Sequence, residues 1–162
     1  MPVENGVGLS VYTETKQDHL RTILRTHIPI VKQILVKRKY SLPCYYYYDI
    51  NAGPGIYDNG EVGSPVVFVQ EAERARINYQ ATFIEINEDS YKRLVSLFKD
   101  NPNVKVYCGD NQEILPEIVP NDKTGQWRYG MLYTDPNGIF NDKAIANFIG
   151  NKCFGAMDVL IN

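Results

Sequence analysis

At 162 residues the chain fits one domain with a real core, and its 44% apolar and 22% charged residues are ordinary for a globular protein. No uncharged apolar run approaches the roughly 20 residues of a membrane span, and the opening MPVENGVGLS lacks the basic patch and apolar stretch of a secretory leader. Cys44, Cys108 and Cys153 are odd in number and far apart, so they read as free thiols of a reducing cytoplasm rather than a disulfide frame or a metal cage.

The net charge of −2 is unevenly spread. Through Lys39 there are seven basic residues against three acids; beyond it the count is ten against sixteen. Lys16, Arg21, Arg25, Lys32, Lys37, Arg38 and Lys39 form either a footprint for a polyanion such as RNA or DNA, or the solvated face of a helix.

In chain order, residues 1–12 read as a loose arm. From Glu14 to Lys37 the apolar residues Leu20, Ile23, Leu24, Ile28, Val31, Ile34 and Leu35 recur at helical spacing. Pro29 inside that pattern predicts a kink or two successive helices. His19 and His27 on this segment read as surface or packing residues. Tyr45 to Ile50 is a strand whose tyrosines pack two faces. Ser64-Pro65 predicts a helix start, with Ser64 as N-cap, Pro65 at the first helical position, and Val66, Val69 and Ala72 inward. A second strand spans Tyr79 to Ile86. Asn87 then caps a helix carrying Glu88 and Asp89 in its first turn and a stripe of Tyr91, Leu94, Val95 and Phe98. A third strand, Val104 to Tyr107, leads into Gly109-Asp110-Asn111 and a short helix broken near Pro116. Residues 120–125 read as a loop. A fourth strand, Tyr129 to Thr134, ends in Asp135-Pro136-Asn137-Gly138; a helix over Asp142 to Ile149 and a last strand, Met157 to Ile161, follow.

Alternating strands and helices of these lengths imply a parallel α/β sheet with right-handed crossovers, in which ligands sit beyond the carboxyl ends of the strands. The polar and glycine residues cluster at those predicted ends: Asp49 to Gly55, Glu85, Asp110 and Asp135. Gly53 and Gly55 let a backbone pass close to a ligand. The spacing G-x-G-x-x-G fails because Asp58 occupies the third place, which argues against a dinucleotide but not against a ligand without phosphates. Glu85 has the place of a carboxylate that accepts both hydroxyls of a ribose, and Asp110 that of an acceptor for an exocyclic adenine amine. The plain alternatives are a strand-end acid for Glu85, a helix cap for Asp110 and a turn for Asp135-Pro136.

"YYYYDINAGPGIYDNGEVGSP", "FIEIN" and "YTDPNG" together resemble the class I S-adenosylmethionine-dependent methyltransferases. More narrowly, the order D-x-x-A-G-x-G-x-Y…G-S-P resembles the three-Cys-motif partner protein family and is similar to the J-type 23S ribosomal RNA adenine-N6 methyltransferases. The resemblance runs from "TETKQDHLRTIL" to the last strand. It implies a Rossmann-like parallel sheet of order 3-2-1-4-5 with helices on both faces, an arm and basic helix over 1–40, and a cofactor-binding unit over 41–162. It also implies C-terminal strands missing after the fifth, leaving an exposed sheet edge that invites association.

The implied cofactor is S-adenosyl-L-methionine. Asn51, Gly53 and Ser64 would border its methionine part, Glu85 would hold its ribose and Asp110 and Asn111 its adenine, with Asp49, Ala52 and Gly55 also among the cofactor-binding residues. Asp135 and Pro136 would face the target amine, with no metal required, and Lys37, Arg38 and Lys39 would touch phosphates. Adenine-N6 enzymes carry D-P-P-Y where this chain has Asp135-Pro136-Asn137-Gly138, and Asn51 replaces the ribosomal enzyme's histidine. The expected function is therefore a cytoplasmic methyltransferase on nucleic acid. The alternatives are transfer to a protein or small molecule, or a cofactor-binding protein that acts through a partner.

Overall fold

The computed structural model describes residues 13–39, 43–118, 127–136 and 142–162. The expected arm over 1–12, the loop over 120–125, and Asn137 and Gly138 lie outside the described residues. The elements alternate as expected: α1 (Thr13–Lys37), β1 (Tyr45–Asp49), α2 (Ser64–Arg74), β2 (Tyr79–Glu85), α3 (Glu88–Phe98), β3 (Val104–Cys108), α4 (Asn111–Ile118), β4 (Tyr129–Thr134), α5 (Asp142–Gly150) and β5 (Ala156–Ile161), the last preceded by a 3-10 turn at Lys152–Phe154.

The strands pair in parallel in the order β3-β2-β1-β4-β5. Order 3-2-1-4-5 is thus what the chain adopts. Asp49 pairs with Phe83 on one side and Tyr133 on the other, so the ends of β1, β2 and β4 reach one rim together. Gly130 lets β4 approach β1, because a Cβ there would stand 1.7 Å from the Tyr46 carbonyl oxygen.

The run of tyrosines divides by strand alternation. Tyr45 and Tyr47 face a core shared with α1, α2 and α3, where Tyr47 stacks on Phe68 at 3.9 Å between ring centroids. Tyr48 faces a second core with Leu115 of α4 and Phe148 of α5. Each fully buried aromatic contributes on the order of 2–3 kcal/mol of apolar burial.

Three expectations are corrected. α1 runs through Pro29 as one helix rather than two in succession, with Ile28 and Val31 buried on either side. α4 likewise contains Pro116 without ending there, next to the buried Leu115. On α2 the inward side chains are Val67, Phe68, Val69, Glu71 and Ala72, while Val66 is only half-buried. Asn87 caps α3 as expected: its side chain accepts the Ser90 N–H at 2.9 Å, a cap worth about 1 kcal/mol. Among the described residues no helix is long and apolar enough to cross a membrane.

Candidate functional site

β1 delivers Asp49 into the interior, where it is fully buried. Its carboxylate accepts the Asn51 N–H at 3.2 Å and the Ser64 hydroxyl at 2.5 Å. Ser64 is therefore not the N-cap of α2. Gly63 holds that position, and the Ser64 hydroxyl turns inward because a buried carboxylate needs a donor more than the helix end does. Burial pushes the Asp49 carboxyl up to about 7; the two hydrogen bonds oppose this, while the nearby Glu85 and Asp135 add to it.

The turn that follows needs its glycines. Gly53 and Gly55 have φ of 65° and 77°, and a Cβ on Gly55 would stand 2.9 Å from both Leu94 and Leu97 of α3. Glu85, at the end of β2 and 9% exposed, clamps the turn. One carboxylate oxygen accepts the Gly53 N–H at 2.6 Å and the other the Asn87 N–H at 2.7 Å. A carboxylate oxygen can take a second donor, so the ribose role and the clamp are compatible. Ala52 is tied across to β2 by its N–H on the Ile84 carbonyl at 3.1 Å.

Asp110 and Asn111 split. Asp110 is exposed and caps α4: its side chain accepts the Gln112 N–H at 2.8 Å and its carbonyl the N–H groups of Glu113 and Ile114. Asn111 is buried and donates from Nδ2 to the Ile50 carbonyl at 2.7 Å, fastening α4 to the end of β1. Its Oδ1 is buried with no hydrogen-bond partner among the described residues. A buried amide oxygen without a partner is a cost that the rest of this fold rarely carries.

At the end of β4, the buried Thr134 donates its hydroxyl to Asn51 Oδ1 at 2.7 Å. Asp135 and Pro136 are half-buried, and both Asp135 oxygens accept from Lys16 Nζ, at 2.8 and 3.0 Å. Tyr57, also half-buried, lies over the turn. A Cβ on Gly53 would stand 3.2 Å from its hydroxyl. Burial, followed by the charges of Asp49, Asp135 and Glu85, pushes the Tyr57 phenol up to about 12. Sequence reasoning gave no site role to Thr134 or Tyr57, and read Lys16 only as part of a polyanion footprint or a solvated helix face. Tyr57 stands in the quoted motif and was legible there, whereas Lys16 lies 119 residues from its partner and carries no local signal.

The basic residues of α1 are mostly engaged inside the fold. Lys16 holds Asp135; Arg21 and Arg25 bind Glu71; Lys32 donates to the Ala75 and Arg76 carbonyls; Arg38 lies 5.7 Å over both the Trp127 and Tyr129 rings. Trp127 and Tyr129 lie at the amino end of β4, the end opposite Asp135. At the helical rise, Lys37 lies about 30 Å along α1 from Lys16. Lys37, Arg38 and Lys39 therefore do not share the rim with Asp135.

Acid-ended β1, a positive-φ glycine turn, Glu85 on that turn and Asp135 on the adjacent strand make one constellation on a 3-2-1-4-5 sheet. The fold is that of the class I methyltransferases. Among similar solved structures is a protein of Escherichia coli, yhhF, described as a methyltransferase. It is 18% identical, with 93% of this chain and 66% of that one covered and a TM-score of 0.54. Others are described as an RNA methyltransferase of Pyrococcus horikoshii (15% identical, 98% and 67% covered, TM-score 0.48) and an S-adenosyl-L-methionine-dependent methyltransferase of Methanococcus maripaludis (11%, 100% and 68%, TM-score 0.46). This chain spans 66% of the length of the Escherichia coli protein. No protein-family model and no curated protein sequence matches the chain.

Proposed function

We propose that this chain is an S-adenosyl-L-methionine-dependent methyltransferase of the three-Cys-motif partner kind, acting on nucleic acid at adenine N6 or a related base amine. One observation carries the reading: Glu85 grips the N–H of Gly53, while Asp135 directly follows Thr134, whose hydroxyl bonds Asn51 of the same turn from the strand paired with β1. The residues fit the cofactor. Glu85 keeps lone pairs for two ribose hydroxyls, the orphaned Asn111 Oδ1 suits the adenine amine, and Asp49, Asn51, Gly53 and Ser64 form the floor beneath the methionine part. When bound, the cofactor supplies a methyl group already activated on a sulfonium. The chain need only bind, align and exclude water. Asp135 and the Pro136 carbonyl would accept the hydrogens of the target amine and leave its lone pair directed at the methyl.

Calorimetric titration with S-adenosyl-L-methionine tests cofactor binding. Glu85→Gln keeps the side-chain shape but loses the charge, and it is expected to weaken binding about 10- to 100-fold, the worth of hydrogen bonds to a charged group. Tritiated methyl transfer to RNA, DNA and lysate protein then identifies the acceptor. Cofactor binding without label in any nucleic acid would overturn the base-methylation reading. A second reading has support from one contact: Lys16 holds both oxygens of Asp135, which suits a protein that binds cofactor without using that acid, or one whose acceptor is a protein or small molecule.

A further inference from the structure

Residues 55–63 leave the rim as a small lobe before α2 begins. Ile56 bridges Val62 in antiparallel fashion, Tyr57 N–H donates to the Glu61 carbonyl at 2.9 Å, and Gly60 N–H returns to the Tyr57 carbonyl at 2.9 Å. Arg93 of α3 ties the lobe down, donating to the Ile56 carbonyl and to Asp58, each at 2.8 Å. Backbone bonds thus fix Tyr57 on both its N–H and its carbonyl, while the bare Gly53 leaves room for its hydroxyl. The ring is half-buried and its hydroxyl lies against Gly53, two residues from Asn51, whose Oδ1 accepts the hydroxyl of Thr134, the residue before Asp135. Tyr133, the aromatic residue preceding Thr134, is buried beneath the rim and presents no face to a ligand.

A planar amine acceptor has to be held by its ring while Asp135 takes its hydrogens, and enzymes that act on an extruded base do this by stacking on aromatic or apolar side chains. Where the D-P-P-Y pattern carries its aromatic, this chain has Gly138. We infer that Tyr57, supplied by the β1–α2 lobe, is a side chain on which the acceptor ring stacks. This rests on the base-amine reading above, and it assigns a specificity-determining contact to a lobe residue.

Poly(A) RNA carrying 2-aminopurine is the probe, because stacking quenches that fluorophore independently of methyl transfer. Quenching is expected with the unaltered chain and with Tyr57→Phe, which keeps the ring. Tyr57→Leu is expected to abolish the quench and to weaken RNA binding between about fivefold and a hundredfold, the usual range for one base–aromatic stack. Its affinity for S-adenosyl-L-methionine is expected to fall less than its affinity for RNA, since the ring lies against Gly53 but stacks on the acceptor. Poly(A) is also expected to protect Tyr57 of the unaltered chain from nitration by tetranitromethane, which decides the matter should Tyr57→Leu fail to fold. Absence of quenching with the unaltered chain, retained quenching in Tyr57→Leu, or loss of cofactor affinity in step with RNA affinity would each overturn the inference. A chain that binds no S-adenosyl-L-methionine yet quenches through Tyr57 would sink the methyltransferase reading and leave the stacking contact standing.

Discussion

Two buried carboxylates sit a short distance apart in the sequence and are treated in opposite ways. Glu71 on α2 is 2% exposed and is gripped by Arg21, Arg25 and Arg74, with the Arg74 Nε at 2.6 Å. Burial raises its carboxyl, but the three guanidiniums more than reverse the effect and hold it below the usual glutamate range. Asp49 is 0% exposed and has a hydroxyl and a backbone N–H but no cation among the described residues, so burial wins and its carboxyl rises to about 7. The first acid joins two helices. The second lies under a glycine turn that has Glu85 and Asp135 nearby, and their charges favour its protonated form. A buried carboxyl surrounded by cations stays charged, whereas one given only neutral donors holds its proton.

The largest expected effect comes from removing that difference at Asp49. In the fold Asp49 keeps its proton to about pH 7, whereas an unfolded aspartate releases it near 4. Its contribution is therefore full below about pH 4 and is lost as pH rises to about 7, up to about 4 kcal/mol across that window. Asp49→Asn should flatten the decline, so that thermal unfolding followed by circular dichroism at pH 5 and pH 8 differs less in the variant than in the unaltered chain. An identical slope in both would show that Asp49 does not carry a proton into the fold.

Glu71 has the opposite sign. Its folded value is depressed, so its contribution is present above the ordinary glutamate range near 4 and disappears as pH falls further. Glu71→Gln leaves three guanidiniums facing a neutral amide and should cost about 2–3 kcal/mol at pH 7, less as pH falls through the depressed folded value. Chemical denaturation over a series of acid pH values checks this, and a loss that stays constant until the protein unfolds in acid would mean that packing, not charge, is the cause.

The smallest effect belongs to Lys16–Asp135, an ion pair with side-chain exposures of 29% and 22%. A pair this wet is worth about 1 kcal/mol or less, so Lys16→Ala should barely move the melting temperature. Removing the lysine frees both Asp135 oxygens, so methyl transfer, if Lys16 merely occupies the acid, should rise or stay level. A loss of transfer at unchanged cofactor affinity would instead make Lys16 a working part of the site.

The secondary elements and the rim were legible because they rest on local rules. Alternating aromatic residues made β1, Asn87 with Glu88 and Asp89 started α3, and glycines punctuated the strand ends. Local rules also misled. Ser64-Pro65 has the form of a capped helix start, yet the serine hydroxyl goes to Asp49, fifteen residues back. Pro29 and Pro116 have the form of breaks, yet neighbouring buried side chains outweigh the lost hydrogen bond. The basic helix read as either a footprint for a polyanion or a solvated face, and neither reading anticipated that Lys16, Arg21, Arg25 and Lys32 bind the protein itself.

By itself, then, the sequence determined the order of strands and helices, the parallel sheet, and the gathering of Asp49, Gly53, Glu85, Asp110 and Asp135 at one rim, because period and punctuation act over a few residues. Tertiary structure alone decided which acid receives a cation. Lys16 reaches Asp135 across 119 residues and Arg25 reaches Glu71 across 46, and no periodicity encodes a partner at such separations. Only the packing of α1 across the sheet face brings those charges within hydrogen-bond distance and leaves Asp49 without one among the described residues.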